Sequence, residues 1–385
     1  MRPDVRACDI LIIGAGIYGL SCAWNIAKHD TGAEILVVDA GEFASGASGR
    51  NGSGFRMQWG LELNIRLCQE SIRFFEEIES HLEYPDGIEL HQSGYLLLAS
   101  NEKELQRLND AQALQHRFGV PSESMTPEDC MKMVPSLNPA GIAGGAFCGK
   151  DGVANPFKYL DALQKAATRL GVEIQYSTCI DALRPEGDRY AARGAFGEIC
   201  AHKVLICTDW AASELLEEHG AALPITGLPK EALVSQPCAP CVAPMVVSLK
   251  HHIALAQTAR GSIVFTVTRH RDPGGDISSQ PDFLKFAGRQ LQDLTPGLSH
   301  LKILRTWGGS SSVTPDMQGV YGETALPGVF VAVSSYRGFM TGPAAGRVMS
   351  EIVLNGQSND PVAAELNPFR FSTGELVYEP LLNQD

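Results

Sequence analysis

Hydrophobic positions along the chain follow two periods, and the switches between them mark out the elements. Residues 9–13 read as a short strand, apolar from Ile10, that stops at Gly14, after which Leu20, Ala23, Trp24 and Ala27 recur at helical spacing. A second apolar run, 35–38, ends at Asp39. The pattern predicts strand, tight turn, helix and strand, a βαβ unit of about thirty residues. Glycine and serine crowd 41–54, which predicts a loop whose backbone comes close to a ligand. Helical patterns follow at 61–82 and 102–118 with a strand over 94–98 between them. A further helix is expected over 156–170, with Phe157, Leu160, Leu163 and Ala167 on its buried side and Gly171 closing it. The runs 172–176 and 204–207 read as strands returning to the first unit, so the helices between are an insertion. From about 224 to 310 the pattern alternates, and 253–257 and 262–267 are joined by a short glycine-containing turn. A strand at 329–333 and a helix starting near Gly338, with Ala344, Ala345, Val348 and Ile352 inward, bring the chain back to the first unit.

A length of 385 residues suits two intimately joined domains. The division expected is a discontinuous nucleotide-binding domain of residues 1–90, 150–222 and 312–385, with 91–149 and 223–311 as the substrate-binding domain. With 31 basic against 44 acidic residues the net charge is −13, which gives no general attraction to phosphate backbones or anionic lipid. Nucleic acid is not an expected partner. Ten cysteines without a dense framework read as reduced thiols of a cytoplasmic protein. The apolar run 10–13 passes straight into Gly14 and is expected to be a strand and no leader, and no stretch approaches the roughly 18 apolar residues that span a bilayer. No direct membrane insertion is expected; peripheral attachment would go through a partner.

Gly14-Ala15-Gly16-Ile17-Tyr18-Gly19 fits GxGxxG between strand and helix, and Asp39 closes the next strand. Glycines there permit the turn and the approach of a pyrophosphate to the helix N-terminus, and Asp39 can accept from ribose hydroxyls. The plainer reading is tight strand–helix packing alone. The strand at 204–207, followed by Thr208, lies far downstream, a spacing that suits FAD over NAD because a substrate domain interrupts the fold. The expected class is α/β: a glutathione-reductase-like FAD-binding Rossmann domain with an interleaved antiparallel-sheet substrate domain.

Three further segments carry a resemblance. Phe55-Arg56-Met57-Gln58-Trp59, Arg305-Thr306-Trp307-Gly308-Gly309 with Thr314-Pro315-Asp316, and Gly338-Phe339-Met340 with Gly342-Pro343-Ala344-Ala345-Gly346 resemble the D-amino-acid oxidase superfamily, nearly end to end. Pro244-Met245-Val246-Val247-Ser248, Ile303-Leu304-Arg305-Thr306-Trp307 and the tail Asn367-Pro368-Phe369-Arg370-Phe371 with Gly374-Glu375-Leu376 are most similar to the FAD subunits of heteromeric dye-linked L-proline dehydrogenases, a branch shared with D-hydroxyproline dehydrogenase and opine oxidase subunits. The resemblance implies oxidation of a carbon beside a secondary amine by hydride transfer to flavin, an amino-acid substrate and companion subunits. The rivals are a self-sufficient oxidase using oxygen and a noncatalytic flavin-bearing subunit.

Carried over residue by residue, the likeness places FAD against Gly14, Ala15, Gly16, Ile17, Tyr18, Gly19, Asp39 and Ala40, the loop Ser48, Gly49, Arg50, Asn51, Gly52 and Ser53, then Ile180, Thr208, and the helix start Gly338, Phe339, Met340 and Thr341. Substrate falls to Arg56, Gln58 and Tyr336, and catalysis to His252 and Arg337. Where many relatives have Gly-His-Gly, this chain has Tyr336-Arg337-Gly338, and residues 310 to 312 are all serine where D-amino-acid and glycine oxidases carry an arginine. Arg56 is therefore the expected carboxylate ligand, a surface salt bridge being its plainer role. No cysteine matches a covalent flavin link, so FAD is expected noncovalent. Lys150 stands where related enzymes attach FMN to histidine, which leaves only noncovalent FMN at an interface between subunits open. Cys238-Ala239-Pro240-Cys241 has CxxC spacing without a second ligand pair and reads as an unreactive loop; no metal is expected.

Overall fold

The computed structural model describes residues 6–30, 32–269, 271–274 and 277–382. They build two large sheets. In the first, the strand order is Val320–Glu323, Val329–Val333, Gly197–Ile206, Arg6–Ile13, Ile35–Val38 and Glu173–Gln175. Its centre is parallel, with Leu11 opposite both Val204 and Leu36. Ile35–Val38 is buried throughout, as a parallel strand covered on both faces must be. Gly197–Ile206 is longer than its apolar end suggested: its first half also pairs antiparallel with Arg189–Gly194, and its last residues pair parallel with Val329–Val331.

The second sheet runs Ile303–Val313, Thr226–Ser235, Ile263–Val267, Ile253–Gln257, Met245–Ser248, Tyr95–Ala99, Gly144–Cys148 and Ser122–Met125. Every neighbouring pair is antiparallel except Met245–Ser248 with Tyr95–Ala99. That parallel seam joins two stretches of chain that each enter the sheet separately, so local alternation could not reveal its direction.

Two helices decide where the site lies. Ile17–His29 buries every side from Ile17 to Ala27, and Gly338–Asn355 crosses it. Glycines make the crossing close: a Cβ at Gly342 would come within 2.2 Å of Ile17 Cγ2, and one at Gly346 within 2.6 Å of Ser21 Cβ and 2.8 Å of its carbonyl carbon. The Tyr18 hydroxyl ties the pair together, 2.7 Å from Thr341 Oγ1 and 2.8 Å from Tyr321 Oη. The helix expected over 61–82 is two helices, Glu62–Glu76 and Ile78–His81, because the backbone at Glu77 turns to φ −110°. Phe157 is a correction. On Pro156–Arg169 the buried face is carried by Tyr159, Leu160, Leu163 and Ala167, and Phe157 is exposed. Three-residue steps lag a 3.6-residue turn, so the ring falls off the far edge of the stripe.

Candidate active site

A cleft of about 1040 Å³ is lined from both sheets. One row across the second sheet, Trp307–Ala232–Thr266–Ala254–Val247–Leu97, forms part of its wall. Small residues in the middle of that row leave room. The N-termini of Ile17–His29 and Gly338–Asn355 both open on the cleft, and neither N-cap residue, Gly16 or Arg337, supplies a capping side chain. Free N–H groups and two helix dipoles therefore point at one space, an environment that favours negative charge.

Of the residues singled out from the sequence, the cleft brings together Gly16, Ile17, Tyr18, Ser48, Arg50, Asn51, Gly52, Ser53, Arg56, His252, Tyr336, Arg337, Gly338, Phe339 and Met340. Gly14, Ala15, Gly19, Asp39, Ala40, Gly49, Gln58, Ile180, Thr208 and Thr341 are not in its lining. The reasons differ. Gly14 and Gly19 serve the strand–helix turn: Gly14 has φ +109°, and a Cβ on Gly19 would sit 1.8 Å from Gly14 O. Asp39 stands behind the turn, accepting from Ala15 N–H and Gly41 N–H, each at 2.8 Å. Thr341 spends its hydroxyl on Tyr18 and its N–H on Arg337 O. Gln58 points into the core, where its amide donates to Tyr95 O at 3.1 Å and to Asp151 at 2.9 Å. A residue two positions from Arg56 thus serves the support of the site.

The cationic centre is built on Trp59, to which the sequence pattern had assigned no role. The Arg56 guanidinium lies 3.9 Å from the centre of its ring, and Arg337 lies 5.0 Å from it. Both arginines are buried, at 8% and 2% exposure. Arg337 donates to Met317 O at 2.8 Å and to Gln318 Oε1, which answers a positive charge at a helix N-terminus with neutral oxygens. Among the described residues its second amino group and the Nε of Arg56 have no partner. Ser335 and Tyr336, with φ +37° and +72°, place two successive non-glycine residues in the left-handed region immediately before the helix. His252 also has positive φ, +50°, and is exposed at the cleft edge, whereas His251 is turned to Gln290.

Three titratable groups here could not be picked out from the sequence. Burial pushes Asp151 up to about 7, against Met57 N–H, Gln58 and Arg56, which pull it down. Asp209 is pushed to about 6 by burial, with Ser312 opposing. Lys230 is lowered to about 8, again by burial. Of the three only Lys230 stands in a readable pattern, between Leu228 and Ala232 on the cleft-facing side of a strand, and a lone lysine there names no role.

These features fit a flavin dinucleotide. Gly16 faces Ser48, whose Oγ a Cβ there would approach to 2.9 Å; Ser48 accepts from Ile17 N–H; and Thr208 Oγ1 is buried without a partner beside this turn. Residues 9–352 match the family model described as FAD dependent oxidoreductase. The chain belongs to this family. The beta chain of sarcosine oxidase from Rhodobacter capsulatus is 26% identical over 379 residues, spanning 96% of this chain and 90% of that protein. The B chain of opine oxidase from Agrobacterium tumefaciens is 24% identical over 371 residues, spanning 92% and 95%. Among solved structures, L-proline dehydrogenase from P. horikoshii superposes with a TM-score of 0.90 at 28% identity, covering 97% of this chain and all of that one. Glycine oxidase from Geobacillus kaustophilus, at 21% identity, shares the fold, with a TM-score of 0.85 over 94% of this chain and 98% of that one. The protein is an FAD-dependent amino-acid oxidoreductase with a Rossmann-type FAD domain and a substrate domain. Among the described residues no helix is long and apolar enough to cross a membrane.

Proposed function

We propose that this oxidoreductase removes hydride from the carbon beside the secondary amine of an amino acid, giving an imine, as the catalytic subunit of a heteromeric cytoplasmic dehydrogenase. The observation that carries the reading is Arg56: a buried guanidinium stacked on Trp59, facing the cleft, with a donor unpaired and no carboxylate bound to it among the described residues. Asp151, the acid whose charge bears on Arg56, is pushed up to about 7 by burial, so the guanidinium is only partly balanced and calls for an anionic ligand; a planar fork suits a carboxylate. When bound, FAD supplies the hydride acceptor. Gly16–Tyr18 and Ser48–Ser53 would hold it, with the free N–H groups of Gly338–Met340 turned to the developing negative charge. Arg56 fixes the substrate carboxylate, Tyr336 walls the cleft, and Arg337 keeps Trp59 and the helix start in place. His252 stands at the edge as the candidate to orient or deprotonate the amine.

The sarcosine oxidase and opine oxidase relatives are each named as one subunit of their enzyme, which supports companion subunits here. FMN is not part of the proposal, since none of the relatives gives it support. The decisive experiment is anaerobic bleaching of the flavin by proline, hydroxyproline, sarcosine and opines. Bleaching by primary amino acids alone would overturn the secondary-amine reading.

Two expected results accompany it. Acid precipitation should release yellow FAD into the supernatant, because no cysteine stands where a covalent link would need one; flavin left in the pellet would contradict this. With its best substrate the protein should reduce a dye faster than it forms peroxide. Rapid, stoichiometric peroxide would instead make it a self-sufficient oxidase.

A further inference from the structure

Next to the small-residue row of the second sheet runs a polar one. Lys230 sits on Thr226–Ser235 opposite Gly309, and two residues from Ala232, so both side chains share the face that lines the cleft. Thr268 lies across from it, two residues past Thr266, and its N–H donates to His252 O at 3.0 Å. Gly309 contributes no side chain, and Arg50 packs over it: a Cβ there would lie 3.2 Å from Arg50 Cβ. Lys230 Nζ is 3.3 Å from Thr268 Oγ1 and 5.2 Å from the centre of the Tyr336 ring.

The ammonium has no carboxylate partner among the described residues, although acidic groups are near in sequence. Glu231 points to the other face, where Arg269 holds it at 2.8 Å and Arg271 stands 3.8 Å away. Arg269 also binds Asp282. Asp209 lies elsewhere in the cleft lining and exerts no charge effect on Lys230. Desolvation alone depresses the pKa of Lys230, with no opposing charge acting on it. A partly buried cation facing a ligand cleft, with a hydroxyl beside it and no counter-ion, is the complement of an anionic group on the ligand.

We infer that Lys230, with Thr268, forms a second carboxylate subsite, so that the preferred substrate is a secondary amine bearing two carboxylates, one on Arg56 and one on Lys230. The inference rests on the proposed secondary-amine reaction and narrows it to an N-carboxyalkyl amino acid. Lys230 is then a specificity residue that leaves the reacting carbon untouched.

The test uses FAD-loaded protein and two probes of similar size, iminodiacetate with two carboxylates and sarcosine with one, titrated anaerobically by the change in flavin absorbance. Wild type should prefer iminodiacetate, and Lys230→Met should lower the ratio of the two affinities by roughly 10- to 100-fold, the range for a lost hydrogen bond to a charged group. Lys230→Arg should keep part of the preference, and both variants must keep the wild-type flavin spectrum. An unchanged ratio overturns the subsite. So does an equal loss for both probes, or a fall in kcat for both with affinities intact, which would assign Lys230 to proton transfer. Turnover is read separately: if neither probe is oxidised while the ratio still depends on Lys230, the proposed reaction fails and the subsite stands.

Discussion

Replacing Asp316 with alanine should destabilise the fold by about 3–5 kcal/mol, the range for breaking a buried ion pair from one side. Asp316 and Arg370 are almost wholly inaccessible, at 0% and 1%, and pair through two hydrogen bonds of 2.8 and 3.0 Å. The same carboxylate is 3.0 Å from Thr314 Oγ1 and accepts from Gln318 N–H at 3.2 Å and from Val377 N–H at 3.3 Å. Deleting it would strand a buried guanidinium and loosen the C-terminal tail. It would also disturb Gln318, whose side chain holds Arg337. Removing both charges should cost less than the two single changes added together, because no lone charge is then left inside. The pH dependence has a definite sign. Burial raises the Asp316 pKa, but the hydrogen bonds and charge of Arg370 outweigh it and hold it below the ordinary carboxylate value. A depressed carboxylate stabilises above its unfolded pKa of about 3.9, and the contribution is lost as pH falls through the folded value. Thermal melts of FAD-loaded wild type and Asp316→Ala should therefore converge in acid. Melts that coincide at pH 7 would remove the pair from the account of stability.

Why Asp316 mattered was not legible in advance. Thr314-Pro315-Asp316 and the tail around Arg370 both stood out as likenesses, yet 54 residues separate the partners and no periodicity links them. Local patterns carried most elsewhere. The strand at 35–38, the alternating pair near 253–267 and the helix from Gly338 lie where hydrophobic spacing put them, because each buries a face that its own sequence defines. The glycine fingerprint was readable for the same reason. Side chains whose role depends on a distant neighbour were not. Trp59 became the platform for two arginines only when the segment after residue 54 met the turn before Gly338. Nothing in the local pattern marks Asp151, whose partners Met57 and Gln58 lie 94 and 93 residues away. Gln58 and Thr341, read as ligand contacts by position, instead found partners in protein, since a buried amide or hydroxyl must be satisfied wherever it can be.

Arg56→Met should lower kcat/KM toward the best amino-acid substrate by a factor of about 30 or more, corresponding to roughly 2–5 kcal/mol for a buried charge-assisted contact. If the carboxylate is held equally in ground and transition states, KM carries the loss; if Arg56 also aligns the donor carbon, kcat falls with it. The stacking on Trp59 argues for alignment, because a guanidinium pinned at 3.9 Å over a buried ring presents its fork in one direction. Asp151 adds a pH signature. Its pKa, pushed up to about 7 by burial, means that it is neutral below that pH, leaving the Arg56 charge undivided, and anionic above it. A raised folded pKa also means that the stability associated with this group is greatest in acid and is lost as pH rises through about 7. Binding of acetate, which has no amine to titrate, should accordingly weaken between pH 6 and 8 in wild type more than in Asp151→Asn. The methionine variant must keep its normal flavin content for the comparison to count. An Arg56→Met protein with wild-type spectrum and unchanged kcat/KM would sink the assignment and transfer it to Arg337, whose second amino group is also buried without a partner among the described residues.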